Sequence, residues 1–261
     1  MNPHLTLEEL RNDESLLLDF FEFFLQYRPH SYQKAFLLEC LNKTRIAGKW
    51  CRQSGKSFTV AAYTLMRAII EKTTIILVSP TQNQSNELLS KVKEFIYDNP
   101  EVQTLIKIDT KQEITFSNGS RIISLPSGIE GRTIRGYTCD ILIIEEAGVM
   151  EDKIVNSVLV PMLASKLSKG QIIKIGTPLI RNHFYRSCFE DKNYNVINVI
   201  WQDCVKVGQY SQEFINEQKI ELTDIEFRTE YEAEFIDAGM MFFPIDVLHK
   251  CSLNYPLFPE L

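Results

Sequence analysis

Apolar residues along this chain follow two rhythms, one helical and one almost unbroken, and the expected elements follow from them. Leu17, Phe20, Phe21, Phe24 and Leu25 share a helical spacing, so residues 6 to 27 predict one amphipathic helix packed on the body of the domain. From residue 45 the chain alternates. A strand (RIAGKWC) runs through a polar loop into a helix (SFTVAAYTLMRAIIE), then a strand (TTIILVSP) and a second helix (QSNELLSKVKEFIYD). EITFSNGSRIISLP is two period-2 runs about Asn118-Gly119, the signature of a hairpin. Three more strands follow, DILIIE, QIIKIGTP and NVINVIWQ, with a helical VNSVLVPMLA between the first two. Runs such as IILV and ILII carry no polar face, which marks strands buried on both sides in a parallel sheet covered by helices. The pattern therefore predicts an α/β fold with a mostly parallel sheet. The charged stretch 211–236 predicts a helical cap on it.

Length and composition leave that picture in place. A chain of 261 residues, 44% hydrophobic and 24% charged, suits one main domain and excludes a disordered or fibrous protein. The net charge of −6 excludes a uniformly basic coat, so any contact with nucleic acid has to come from a local patch or from assembly. Six cysteines (40, 51, 139, 188, 204 and 251) form no CxxC pair and no zinc spacing, and read as buried thiols in a reducing compartment. The histidines at 4, 30, 183 and 249 are scattered and suggest no metal site. The N-terminus is acidic and no apolar run approaches membrane-spanning length, which predicts a soluble, intracellular chain.

Chemistry concentrates at WCRQSGKSF, residues 50–58. A phosphate-binding loop needs a strand, a tight turn with inward backbone N–H groups, and a helix whose N-terminus adds positive dipole. Gly55-Lys56-Ser57 stands in that context, Lys56 offering a point charge to the terminal phosphates and Ser57 a hydroxyl to Mg²⁺. The usual pattern has a glycine five residues before Gly55; that position is Trp50. The second element is CDILIIEEAGVM, an apolar strand ending in two carboxylates where a parallel sheet presents its ligand crevice. There Glu145 suits a Mg²⁺ ion and Glu146 an attacking water. The same pair also suits the start of a helix.

With Arg52-Gln53-Ser54-Gly55-Lys56-Ser57 in place of the usual loop, the sequence resembles the ATPase domain of the large terminase subunit, the DNA-packaging motor of tailed viruses. The resemblance covers about residues 28 to 245. It implies a P-loop NTPase of the RecA-like, ASCE type with a small helical lid, using ATP and Mg²⁺. It implies phosphate contacts from Gln53, Ser54, Gly55, Lys56 and Ser57, with the metal on Ser57 and Glu145. Glu145 stands where the family carries aspartate, leaving open how the two glutamates divide the work. By the same resemblance Tyr32 and Gln33, in Arg28-Pro29-His30-Ser31-Tyr32-Gln33, recognise adenine, and Thr177, in Ile175-Gly176-Thr177-Pro178, senses the γ-phosphate. Of the two arginines in GRTIRGYT, Arg132 and Arg135, the latter is the first candidate for an arginine finger and Arg52 the second.

The partners implied are double-stranded DNA, a homo-oligomeric ring, the capsid portal and the small terminase subunit, in the cytoplasm of an infected cell. Residues 1–245 form the expected ATPase domain, with 1–30 and 205–245 as lid or peripheral elements. Residues 246–261 are a tail or the start of a linker to an absent nuclease domain, which makes the chain a fragment or a split gene product. Two other readings stay open, a helicase-like translocase and a non-catalytic nucleotide switch. A dinucleotide enzyme is excluded because no GxGxxG follows the first strand.

Overall fold

The computed structural model describes residues 5–127, 134 and 136–236, apart from the side chains of 167 and 168. Eight strands form one sheet: β1 Arg45–Trp50, β2 Thr74–Ser79, β3 Ile106–Asp109, β4 Glu113–Phe116, β5 Arg121–Pro126, β6 Ile141–Glu145, β7 Gln171–Gly176 and β8 Asn195–Val199. The helices are α1 Leu7–Asn12, α2 Glu14–Asp19, α3 Ser31–Asn42, α4 Lys56–Ile70, α5 Gln82–Tyr97, α6 Pro100–Gln103, α7 Asp152–Ile154, α8 His183–Phe189, α9 Trp201–Lys206, α10 Gln212–Glu221 and α11 Asp224–Glu230. The strand order is β3-β4-β5-β2-β6-β7-β1-β8. Pairing is parallel from β5 to β8 and antiparallel where β3, β4 and β5 meet. The fold is the mixed, mostly parallel α/β sheet the apolar runs predict.

The central strands are buried because both of their faces are covered. β6 and β7 have no exposed residue. Alternate residues of each strand feed two cores: Ile75, Leu77, Ile141, Ile143, Ile173 and Ile175 face α3, α4 and α5, while Ile76, Val78, Leu142, Ile144 and Ile172 face the segment 150–163 and Phe184. The Asn118-Gly119 hairpin forms as expected. Gly119 takes φ 87°, and Phe116 N donates to Ser120 O at 2.9 Å.

Two predicted helices are built differently. The stretch 6–27 breaks at Asp13, whose carboxylate accepts from the backbone of Ser15 and Leu16 and so caps a second helix; a π-helical turn, Phe20–Phe24, follows. The segment VNSVLVPMLA winds as a π turn at Val155–Leu159 and then a 3₁₀ stretch at Val160–Lys169, since Pro161 has no N–H for an α-helical bond. The cap after residue 211 is helical as expected, in two pieces, α10 and α11. Residues 237–261, which include the predicted tail, lie outside the described residues. Among the described residues no helix is long and apolar enough to cross a membrane.

Candidate functional site

The order β6-β7-β1 puts three strand ends side by side, and these carry Glu145, the Gly176-Thr177 turn and the loop from Cys51 to Gly55. Gly55, at φ 80° and ψ 19°, caps α4, a left-handed conformation in which an L side chain is strained. A Cβ there would also lie 2.5 Å from the Gln33 side chain. Gln53 is left-handed as well, at φ 52°. Ser54 is fully buried and its hydroxyl donates to Cys51 O at 2.7 Å, closing the turn.

Lys56, the first residue of α4, is 7% exposed. Its ammonium donates to Cys51 O at 2.9 Å and to Thr177 Oγ1 at 3.0 Å, so it spans from the loop to the end of β7. Burial lowers its pKa from the ordinary lysine value, and Glu146 leads the groups that oppose this. Glu145 is 5% exposed; burial raises its carboxyl pKa, while the Ser57 hydroxyl, the Lys91 ammonium and the Ser79 hydroxyl, at 3.2 Å, favour the ionised form. Glu146 leaves the strand in the left-handed region, at φ 51° and ψ 44°, and turns into a cleft of about 620 Å³.

That cleft is lined by Arg52, Gln53, Gly55, Lys56, Ser57, Glu146 and Thr177, so the structure gathers most of the residues the sequence singles out. A larger cavity, of about 710 Å³, lies at the opposite end of the sheet beside Thr73, Asp140 and Gln171, and contains none of them. In parallel α/β sheets ligands bind at the carboxyl ends, which favours the smaller cleft. Arg52 is tethered, its guanidinium 3.5 Å from Glu230 and its N–H bonded to Glu230 O at 2.8 Å. Arg132 and Arg135 lie outside the described residues.

Tyr32 and Gln33 sit beneath the loop rather than in the cleft. The Tyr32 hydroxyl and the Gln33 amide donate to Ser54 O at 3.1 and 3.5 Å, and Gln33 Oε1 accepts from His30 N at 2.8 Å. Gln33 is 4% exposed, so in this arrangement both residues brace the turn and neither presents an edge to a base. Trp50 accounts for the missing glycine. It is fully buried, edge-on to Tyr32 and Phe36 at 5.4 and 5.3 Å, and occupies the space under the loop.

The cleft also contains residues the sequence reading missed. Gln84 and Lys91 come from one face of α5, seven residues apart, and Glu230 comes from α11. The polar face of α5 is legible as a spacing, but only the tertiary packing aims it at the cleft. The five described cysteines are free; Cys51 and Cys204 touch, Sγ to Sγ, at 3.6 Å without a bridge. No His/Cys/Asp/Glu cluster able to hold a metal unaided occurs among the described residues.

No curated protein matches the chain. Among solved structures it is similar to the large terminase ATPase domain of Thermus phage P74-26, with a TM-score of 0.72 and 20% identity over 84% of this chain and 98% of that one. The large terminase of bacteriophage HK97 gives a TM-score of 0.69 and 15% identity, covering 85% of this chain and 55% of that one. The large terminase of another thermophilic bacteriophage, in complex with ADP, gives 0.60 and 12%, covering 79% and 53%. The chain thus spans about half the length of the HK97 protein and of the ADP-bound one. These likenesses establish a shared fold, that of a RecA-like P-loop NTPase. The family described as terminase large subunit, T4likevirus-type, N-terminal, matches residues 50–250, three quarters of the sequence, and the chain belongs to that family.

Proposed function

We propose that this chain is the ATP-hydrolysing motor domain of a large terminase and drives double-stranded viral DNA into a capsid. The observation that carries the reading is the single cleft in which Lys56, Ser57, Glu146 and Thr177 converge at the ends of adjacent strands. Family membership and the ADP complex of a structural relative support it.

In this reading Lys56 and the N–H groups around Gly55 hold the phosphates. Ser57 and Glu145, both hard oxygen donors, would hold Mg²⁺. The ion supplies charge neutralisation between the phosphates. Glu146, at the cleft wall, orients and deprotonates the attacking water. The Thr177 hydroxyl, bonded to Lys56 at 3.0 Å, registers the loss of the γ-phosphate and passes it to the loop after β7. Arg135, or else Arg52, supplies the cation that meets the transferring phosphoryl group, an effect worth about 10³ to 10⁵ in turnover. Adenine recognition by Gln33 requires its carboxamide to leave Ser54. The chain acts in a homo-oligomeric ring, with the capsid portal and the small terminase subunit as partners, in the cytoplasm of the infected cell.

The test is equilibrium binding of ATP with Mg²⁺ to the wild type and to Lys56→Ala. The reading expects affinity to fall by at least about 100-fold, since losing a buried cation from a phosphate costs on the order of 3 kcal/mol. Equal affinity in the two proteins would move the nucleotide out of this cleft.

A further inference from the structure

Glu146 has a Cβ and yet sits in the left-handed region, a conformation that costs about 1–3 kcal/mol and persists only where its surroundings impose it. The residues after it, Ala147–Val149, form a single 3₁₀ turn packed against the loop that follows β7. The two backbones meet directly. A Cβ on Gly148 would lie 2.2 Å from Thr177 O, and one on Gly176 would lie 2.8 Å from Ala147 N.

Asn182 projects into this seam and is 5% exposed. Its amide nitrogen lies 3.1, 3.0 and 3.0 Å from the carbonyl oxygens of Ala147, Gly148 and Met150. Its carbonyl oxygen faces the other way and accepts from Phe184 N at 2.8 Å and Tyr185 N at 3.4 Å, capping α8. One turn further on, Asp152 accepts from His183 N and, at 2.7 Å, from Arg186 Nη2. The start of α8 therefore grips the segment after Glu146 near both of its ends.

We infer that Asn182 is a positioning residue for the reaction. It fixes the left-handed turn that aims Glu146 into the cleft and ties that turn to the loop carrying Thr177. The inference rests on the proposed role of Glu146. Misplacing a reacting group by about 1 Å can cost on the order of 100-fold in rate, so a latch of this kind acts on turnover rather than on binding.

Asn182→Ser and Asn182→Asp separate the residue's two roles, because serine and aspartate cap helices about as well as asparagine but neither supplies an amide to the three carbonyls. Both variants are expected to lower kcat by about ten-fold or more, with KM within about two-fold of wild type. Amide exchange should quicken at Val149 and Met150, which donate to Glu146 O and Ala147 O, and stay slow at Arg186 within α8 and at Glu190, its C-cap. Wild-type kcat in both variants overturns the inference, as does exchange that quickens equally through α8, which would make Asn182 only a helix cap. Glu146→Gln is measured beside them. Turnover retained there is a failure of the catalytic-base assignment, and the exchange data, which need no turnover, still decide whether Asn182 holds the turn.

Discussion

Glu145 and Glu146 are neighbours in sequence, and the backbone sends them into different surroundings. Glu145 completes β6 and is enclosed; Glu146 reverses the chain and reaches the cleft. Enclosure raises the Glu145 pKa above its ordinary value of 4.5, so the unfolded chain releases this proton more readily than the folded one. Stability is therefore lost as pH rises from the ordinary carboxylate range through the raised folded value. Glu145→Gln removes that cost while keeping an acceptor for Ser79. It is expected to raise the urea midpoint of the nucleotide-free protein at pH 7, with the gain vanishing below about pH 4, where carboxyls are protonated in both states. A midpoint unchanged at pH 7 would mean that Glu145 ionises in the folded protein at no cost. Gly148 shows a second constraint at this scale, since its missing side chain is what lets the turn after the carboxylate strand approach the Thr177 loop.

At the scale of elements, the phosphate loop is supported from below by α3 and the end of β1. Trp50, Tyr32 and Phe36 form an edge-to-face cluster beneath it, and the Tyr32 hydroxyl reaches Ser54 O. Trp50→Ala is expected to destabilise the protein by about 3 kcal/mol in denaturant unfolding, toward the lower end of large aromatic deletions because the buried indole N–H has no partner to lose. A loss below about 1 kcal/mol would show that the cluster does not support the loop. The elements legible in the sequence are those whose signal is local. The unbroken apolar strands, the Asn-Gly hairpin and the loop entering α4 can each be read from a few adjacent residues. β3 could not be read, because IKID is a four-residue edge strand with three of its residues exposed, and Ile106 and Ile108 alone are too short an alternation to mark it. The break at Asp13 was hidden by the helical spacing of the leucines and phenylalanines that follow it. In the site, Lys56, Ser57 and the glutamates were legible from spacing, whereas Gln84, Lys91 and Glu230 reach it only through packing between distant segments. Gln33 was visible as a residue, but its buried place under the loop was not.

At the scale of the whole molecule, the acidic balance of −6 leaves no general attraction for DNA, so in the proposed motor a grip on the duplex has to come from a local patch or from how copies are arranged. The cleft opens between the strand ends and α11, with Arg52 tethered to Glu230 on one wall. A finger delivered by a neighbouring copy would make hydrolysis depend on assembly. The measurement that tests this most directly is phosphate release from ATP with Mg²⁺, followed across a wide range of chain concentration, with Glu146→Gln alongside the wild type. The account predicts that the wild-type rate per chain rises with concentration, while Glu146→Gln binds ATP and releases essentially no phosphate. No release by the wild type at any concentration, or equal release by the two proteins, would contradict it.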